Sequence, residues 1–157
     1  EIEMQGKKAR VEDALNATRA AIDEGIIPGG GVALMHAVTT LDIVGDNSEQ
    51  TSGIDIVRHA CEAPFRAIMA NAGLTADVIW NNIKSEKGRT KNTGFDARGE
   101  KVVDMMDAGI IDPCKVTITA LQKAASVAGT ILTTECILTN IKDDNKAVVG
   151  PGQMPMM

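Results

Sequence analysis

Apolar residues recur along this chain at the spacing of an α-helix, and that period decides most of what it can fold into. From Glu1 to Glu24 the positions Met4, Val11, Leu15, Thr18 and Ile22 step by 7, 4, 3 and 4, with Ala14, Ala17 and Ala21 widening the stripe. Gly25 ends the pattern where a glycine just past a helix belongs. After Pro28-Gly29-Gly30-Gly31, the residues Val32, Met35, Val38 and Leu41 predict a second helix. The polar stretch Asp42 to Ser52 reads as a loop. Ile54, Val57 and Cys61 then open a third helix that runs to Gly73, with Pro64 expected to kink or restart it. Thr75 is placed to cap a short helix through Val78, Ile79 and Ile83.

The texture then changes. Gly94-Phe95-Asp96-Ala97 and Ile110-Ile111-Asp112 read as two strands of a small ribbon, separated by a turn of helix holding Val102, Val103 and Met106. Asp112-Pro113 has the form of a helix opening, Asp as N-cap and Pro in the first turn, for a last long helix through Val116, Leu121, Ala125 and Ala128 towards Thr134. Cys136 to Ile141 reads as a final strand, and the Pro- and Gly-bearing segment from Lys142 onward as a disordered tail. The expected fold is mainly α, with a small β ribbon. The first helix begins without a Ser, Thr, Asp or Asn cap or an initiator Met, which leads us to expect a piece of a longer chain.

Composition sharpens this. Hydrophobic residues are 44% of the 157, yet aromatics are 2%, so the core must be built from Ala, Val, Ile, Leu and Met. Modules that stack bases on aromatic platforms lack their parts, and a net charge of −5 with a pI near 5.0 argues against a nucleic-acid partner. Three cysteines, Cys61, Cys114 and Cys136, are odd in number and form no C-x-x-C, so they read as small buried hydrophobes in a reducing compartment. No apolar run approaches the roughly 18 residues of a membrane span, and no membrane partner is expected.

Few residues stand out chemically. Gly29-Gly30-Gly31 precedes a helix, where free N–H groups and the helix dipole favour an anion or a close approach to a ribose. It matches neither G-x-x-x-x-G-K-[ST] nor G-x-G-x-x-G, and on spacing alone it reads first as a tight helix-to-helix turn. Asp13, near Arg10 and Arg19, is of the type that orients a water or assists a metal-bound phosphate, but on spacing alone a charged residue on a solvated helix face is the ordinary reading and takes precedence. Asp112 has an N-cap role available to it. His36 and His59 stand alone on helices as surface or packed histidines, and no metal site is indicated.

Taken together, Lys7-Lys8-Ala9-Arg10-Val11-Glu12-Asp13-Ala14-Leu15, Pro28 to Leu34, Glu62-Ala63-Pro64, Gly109-Ile110-Ile111-Asp112-Pro113, Ala124 to Gly129 and Thr133-Thr134-Glu135-Cys136 resemble the C-terminal part of a group I chaperonin. The resemblance implies a division into residues 1–24, the returning part of an intermediate domain, 25–141, the C-terminal half of an equatorial helical domain, and a tail, 142–157. It implies an ATP-driven ring that folds non-native proteins under a small co-chaperonin lid, heptameric in the parent, in a bacterial-type cytoplasm or an organelle matrix. By position, Asp13 matches the aspartate that orients the hydrolytic water. Gly30, with Gly31 beside it, matches the glycine against the nucleotide; Asp96 and Ala97 match residues around the adenine, and Asp112 the carboxylate on the nucleoside. The family's phosphate loop and its magnesium ligand, like its client-binding apical domain, belong to parts that nothing here replaces, so the chain alone is expected to be inactive. Leu74-Thr75 departs from the family's acidic ring-to-ring contact while Arg66 is kept. A non-enzymatic helical self-association module is the competing reading.

Overall fold

A computed structural model describes residues 1–139. Among them are five helices and two two-stranded antiparallel sheets. The first helix, α1 (Ile2–Glu24), runs unbroken to Gly25, whose φ of 81° is left-handed and whose N–H donates to the Ala21 carbonyl at 2.9 Å. Strand β1 (Ile26–Pro28) leads into the glycine run, and α2 (Val32–Thr40) follows.

Helix α3 (Ser48–Asn71) starts inside the stretch read as a loop. Asn47 is its N-cap: the side-chain oxygen accepts from Gln50 N–H at 2.8 Å, and Gln50 Oε1 accepts from Asp46 N–H at 2.8 Å. This reciprocal closure is a variant of the capping box, and an Asn followed three residues later by Gln was its legible signature. Pro64 lies inside α3, which continues through it without restarting. In α4 (Ala76–Ser85), Thr75 holds the capping position but makes no side-chain capping bond.

The ribbon pairs differently from the sequence expectation. β2 (Thr93–Asp96) forms a hairpin with β3 (Lys101–Asp104), so Val102 and Val103 are strand residues and Ala97 belongs to the turn. Asp96 closes that turn by accepting from Arg98 N–H at 2.9 Å, and Gly99 lies directly under its carboxylate. β4 (Ile111–Pro113) pairs instead with β1, Ile27 opposite Asp112. Strand pairing holds Asp112 extended, so it does not cap α5 (Cys114–Leu132), and Pro113 flanks that helix. The Cys114 N–H is satisfied by the Gly25 carbonyl at 3.0 Å. Residues 136–139 form no strand; the rest of that predicted strand, from 140, and the predicted tail lie outside the described residues.

One cluster forms the core: Val32 and Met35 of α2, Phe65 and Met69 of α3, Ile79, Trp80 and Ile83 of α4, Phe95 of β2, and Met105. All three aromatic residues are in it. Phe65 and Trp80 meet edge to face at 5.9 Å, and His36 packs on Trp80 at 5.2 Å while Nε2 donates to the Thr93 carbonyl at 2.9 Å. His36 is therefore a packed, satisfied histidine, and His59 is exposed. Across the outside of this core, Arg66 grips both Glu62 and Asp77, each at 2.8 Å, and so clips α3 to α4. The Arg66 guanidinium holds the Asp77 carboxyl below the usual aspartate value.

The outer layer differs. α1 lies against α5 and β4 with a Lys115–Asp23 ion pair at 2.9 Å, yet neither helix has a buried residue. The large residues of the stripe read in α1, Met4, Val11, Leu15 and Ile22, are exposed, while Ala17 and Ala21 are half-buried. Only Cys61 of the cysteines is buried; Cys114 is half-buried and Cys136 exposed, all three as free thiols.

Candidate functional site

The glycine run and the β4 segment are brought together by strand pairing. Gly29 N–H donates to the Ile110 carbonyl at 2.9 Å, and the approach is close: a methyl on its α-carbon would lie 3.1 Å from the Ile110 backbone, which would have to give slightly. Gly30 and Gly31 follow with φ of 67° and 75°. Both are left-handed, a conformation that costs other L-residues roughly 1–2 kcal/mol. Gly31 also presses on the backbone of α3 at Phe65. The triplet is thus a tight turn, but one that joins strand β1 to α2 rather than helix to helix as its spacing suggests, and the question is what the turn faces.

It faces Asp112. A cavity of about 370 Å³ lies between the start of α2, the middle of α3 and the first turns of α5, and Gly31 and Asp112 both line it. Its other walls are apolar, among them Leu34, Ile68 and Val116, and Asp112 is its one charged residue among those described. The carboxylate is half-buried and has no hydrogen-bond or ion-pair partner among the described residues. Burial pushes its pKa above the ordinary aspartate value. The first turn of α2, whose leading N–H groups have no intrahelical acceptor, opens on the same space through Ala33 and Leu34.

An unpartnered carboxylate of this kind costs stability while it is ionised. Its folded pKa is raised, so the cost is fully present at pH above the folded value and is relieved as pH falls through that value. Asp112→Asn is therefore expected to raise the melting temperature at neutral pH, with the gain over wild type shrinking on acidification. Thermal melts of the two proteins across that range check it, and a gain that does not change with pH would contradict the burial argument.

Asp13 stands nearby on a separate surface. It is exposed on α1 and lines a hollow with Pro113, Lys115 and Thr119, while Asp112 lines an adjoining hollow; both hollows include Ala17 and Pro113. Asp13 has no ion-pair or hydrogen-bond partner among the described residues. Asp96 and Ala97 sit at the hairpin turn and line neither these hollows nor the cavity. Ala97 packs on the core, and Asp96 is engaged in its turn. The structure thus brings Gly31 and Asp112 to one cavity, leaves Gly30 next in the turn but off that lining and against Met105, places Asp13 on an adjoining hollow, and leaves Asp96 and Ala97 on the hairpin. Sequence reasoning passed over Met105, which contacts both the glycine run and the hairpin; its only sequence signal is a Met inside a turn between two short strands. Among the described residues no group of three or more His, Cys, Asp or Glu side chains is arranged to hold a metal ion. No helix among them is long and apolar enough to cross a membrane.

With this geometry in place, comparison with known proteins supplies the class. The sequence profile of the TCP-1/cpn60 chaperonin family matches residues 2–142, and the chain belongs to that family. Among solved structures it is similar to a group III chaperonin in the open state, with a TM-score of 0.65 at 24% identity over 76% of this chain. The likeness extends to the fold. The present chain spans about a quarter of that chaperonin chain, 25% of its length.

Proposed function

We infer that this chain is the part of a group I-type chaperonin subunit that completes a nucleotide site and contributes to the ring wall, in a protein that uses ATP to fold non-native proteins. Family membership over residues 2–142 carries the reading. The meeting of the glycine turn with a half-buried, unpartnered carboxylate supports it, because ribose hydroxyls are suitable donors to such a group. In this reading Asp112 accepts from the nucleoside, Gly30 and Gly31 let the α2 start approach it, Asp96 and Ala97 lie at the adenine end, and Asp13 orients the water. ATP or ADP binds with magnesium, and the phosphate loop and magnesium ligand come from sequence outside this chain. Residues 1–24 belong to an intermediate domain and 25–141 to an equatorial one. Other subunits, in a heptameric ring, and a co-chaperonin and clients held by an apical domain, are the partners. The exposed apolar residues on α1 and α5 fit surfaces meant for the rest of the subunit and for neighbouring subunits.

ATP turnover and ADP binding, measured on the 157-residue chain and on the full-length subunit that carries it, test the reading. Hydrolysis is expected in the full-length subunit only. Turnover by the shorter chain alone would show that its own residues complete the site and would remove the reading.

A further inference from the structure

We propose that Met105 is a positioning residue for the nucleotide site, which fixes the glycine run, the hairpin and β4 at one mutual spacing without itself touching the ligand; this rests on the nucleotide reading above. Met105 is fully buried, and it is tied through both backbone and side chain. Its N–H donates to the Asn92 carbonyl at 2.9 Å, just ahead of β2, and its carbonyl accepts from Ile110 N–H at 2.9 Å, just ahead of β4. Ile110 in turn accepts from Gly29. A continuous backbone path therefore runs from the hairpin through Met105 and Ile110, just ahead of β4, to the glycine run.

The side chain closes that path into a loop. At one end it fills the space over Gly94 of β2, where an added methyl would lie 2.6 Å from Met105 Cγ and 2.7 Å from Sδ. At the other end it reaches Gly30, where an added methyl would lie 3.2 Å from Cε. Two glycines thus admit one methionine, whose unbranched, adaptable side chain suits a gap of this irregular shape. The elements it spaces are those assigned to the nucleoside end of the ligand: Gly30, the hairpin with Asp96 and Ala97, and the strand with Asp112. Shortening the side chain removes the spacer between Gly94 and Gly30 and leaves every proposed ligand contact chemically intact. Affinity falls because geometry is lost, and it falls alike for ATP and ADP, which share the nucleoside.

The test uses the full-length subunit with Met105→Ala and Met105→Leu. For Met105→Ala the KM for ATP and the Kd for ADP are expected to rise together by about tenfold, with kcat per folded subunit held within about twofold. Met105→Leu, similar in volume, is expected to return both constants to within about twofold of wild type. A purely structural role would lower the folded fraction and leave KM unchanged, and that result overturns the proposal. Should Met105→Ala fail to fold, Met105→Val, which lacks the reach to Gly30, is read the same way: a raised KM supports the proposal and an unchanged one overturns it. Wild-type subunit that binds no nucleotide overturns the nucleotide reading and this proposal together. Wild-type activity with unaltered KM in the variants overturns this proposal alone.

Discussion

Gly31→Ala is expected to destabilise the fold by about 2–5 kcal/mol, summing a left-handed backbone penalty of roughly 1–2 kcal/mol and an overpacking cost of about 1–3 kcal/mol. The first part follows from a φ of 75°. The second follows from what the new methyl meets: it would lie 2.7 Å from Phe65 N and 2.9 Å from Phe65 Cα. Those are backbone atoms in the middle of α3, so relief requires moving a helix, and α3 carries Phe65 and Met69 into the core. Gly53→Ala is the internal control. It lies in the same helix with nothing within 4 Å of an added methyl, and alanine there is expected to stabilise by about 0.5–1 kcal/mol. Urea unfolding of both variants reads the difference directly. A Gly31→Ala cost below about 1 kcal/mol would mean that α2 does not dock this closely on α3.

Asp13→Ala is expected to do the opposite, sparing the fold and stopping the chemistry. Its side chain is exposed in mid-helix, and alanine is the better helix former, so the melting temperature should not fall. In the full-length subunit, ATP turnover should drop by about 10²–10⁴-fold, the range of a lost general acid or base, with ADP affinity unchanged. The split arises because a carboxylate that orients a water acts on the transition state and contributes little to holding the ground-state ligand. Single-turnover hydrolysis beside equilibrium ADP binding separates the two. Turnover within about threefold of wild type would remove Asp13 from the proposed site, and so would a parallel loss of affinity.

What the sequence made legible follows the range of the interactions involved. Long helices with a local stop signal were readable: α1 ends at Gly25, and the helical period found α5 to within two residues and the end of α3 likewise, while the start of α3 at Ser48 fell in the stretch read as a loop. Pairing between distant segments was not. β1 and β4 have three residues each, too few for alternation to show, so Ile26 and Ile27 carry no strand signal of their own and Ile110–Asp112 was assigned the wrong partner. In the hairpin, Val102 and Val103 lost their strand identity because the turn from Ala97 to Glu100 was not recognised.

The same limit governs the site. Asp112 had a sufficient local explanation as a cap, and only its pairing with Ile27 moves it out of that role and onto the cavity with Gly31. Gly31 was read correctly as a tight turn, because positive φ and close packing are local demands that only glycine meets. Asp13 could be singled out by resemblance alone: an exposed carboxylate on a helix has no pattern that separates it from its neighbours Glu12 and Asp23. The stripe on α1 was correctly periodic, yet its exposure depends on what covers the helix, which a period does not reveal.

The concentration of Phe65, Trp80 and Phe95 in one cluster also determines what can be seen by light. The chain's single indole lies 8% exposed between α2 and α3, with His36 against its ring edge, while α1 and α5 contain no chromophore of this kind. Ultraviolet emission from this protein is therefore a local gauge of the α2–α3–α4 packing. Rotation or release of the outer helices would pass almost unseen in intrinsic fluorescence, and following them calls for a label placed on α1.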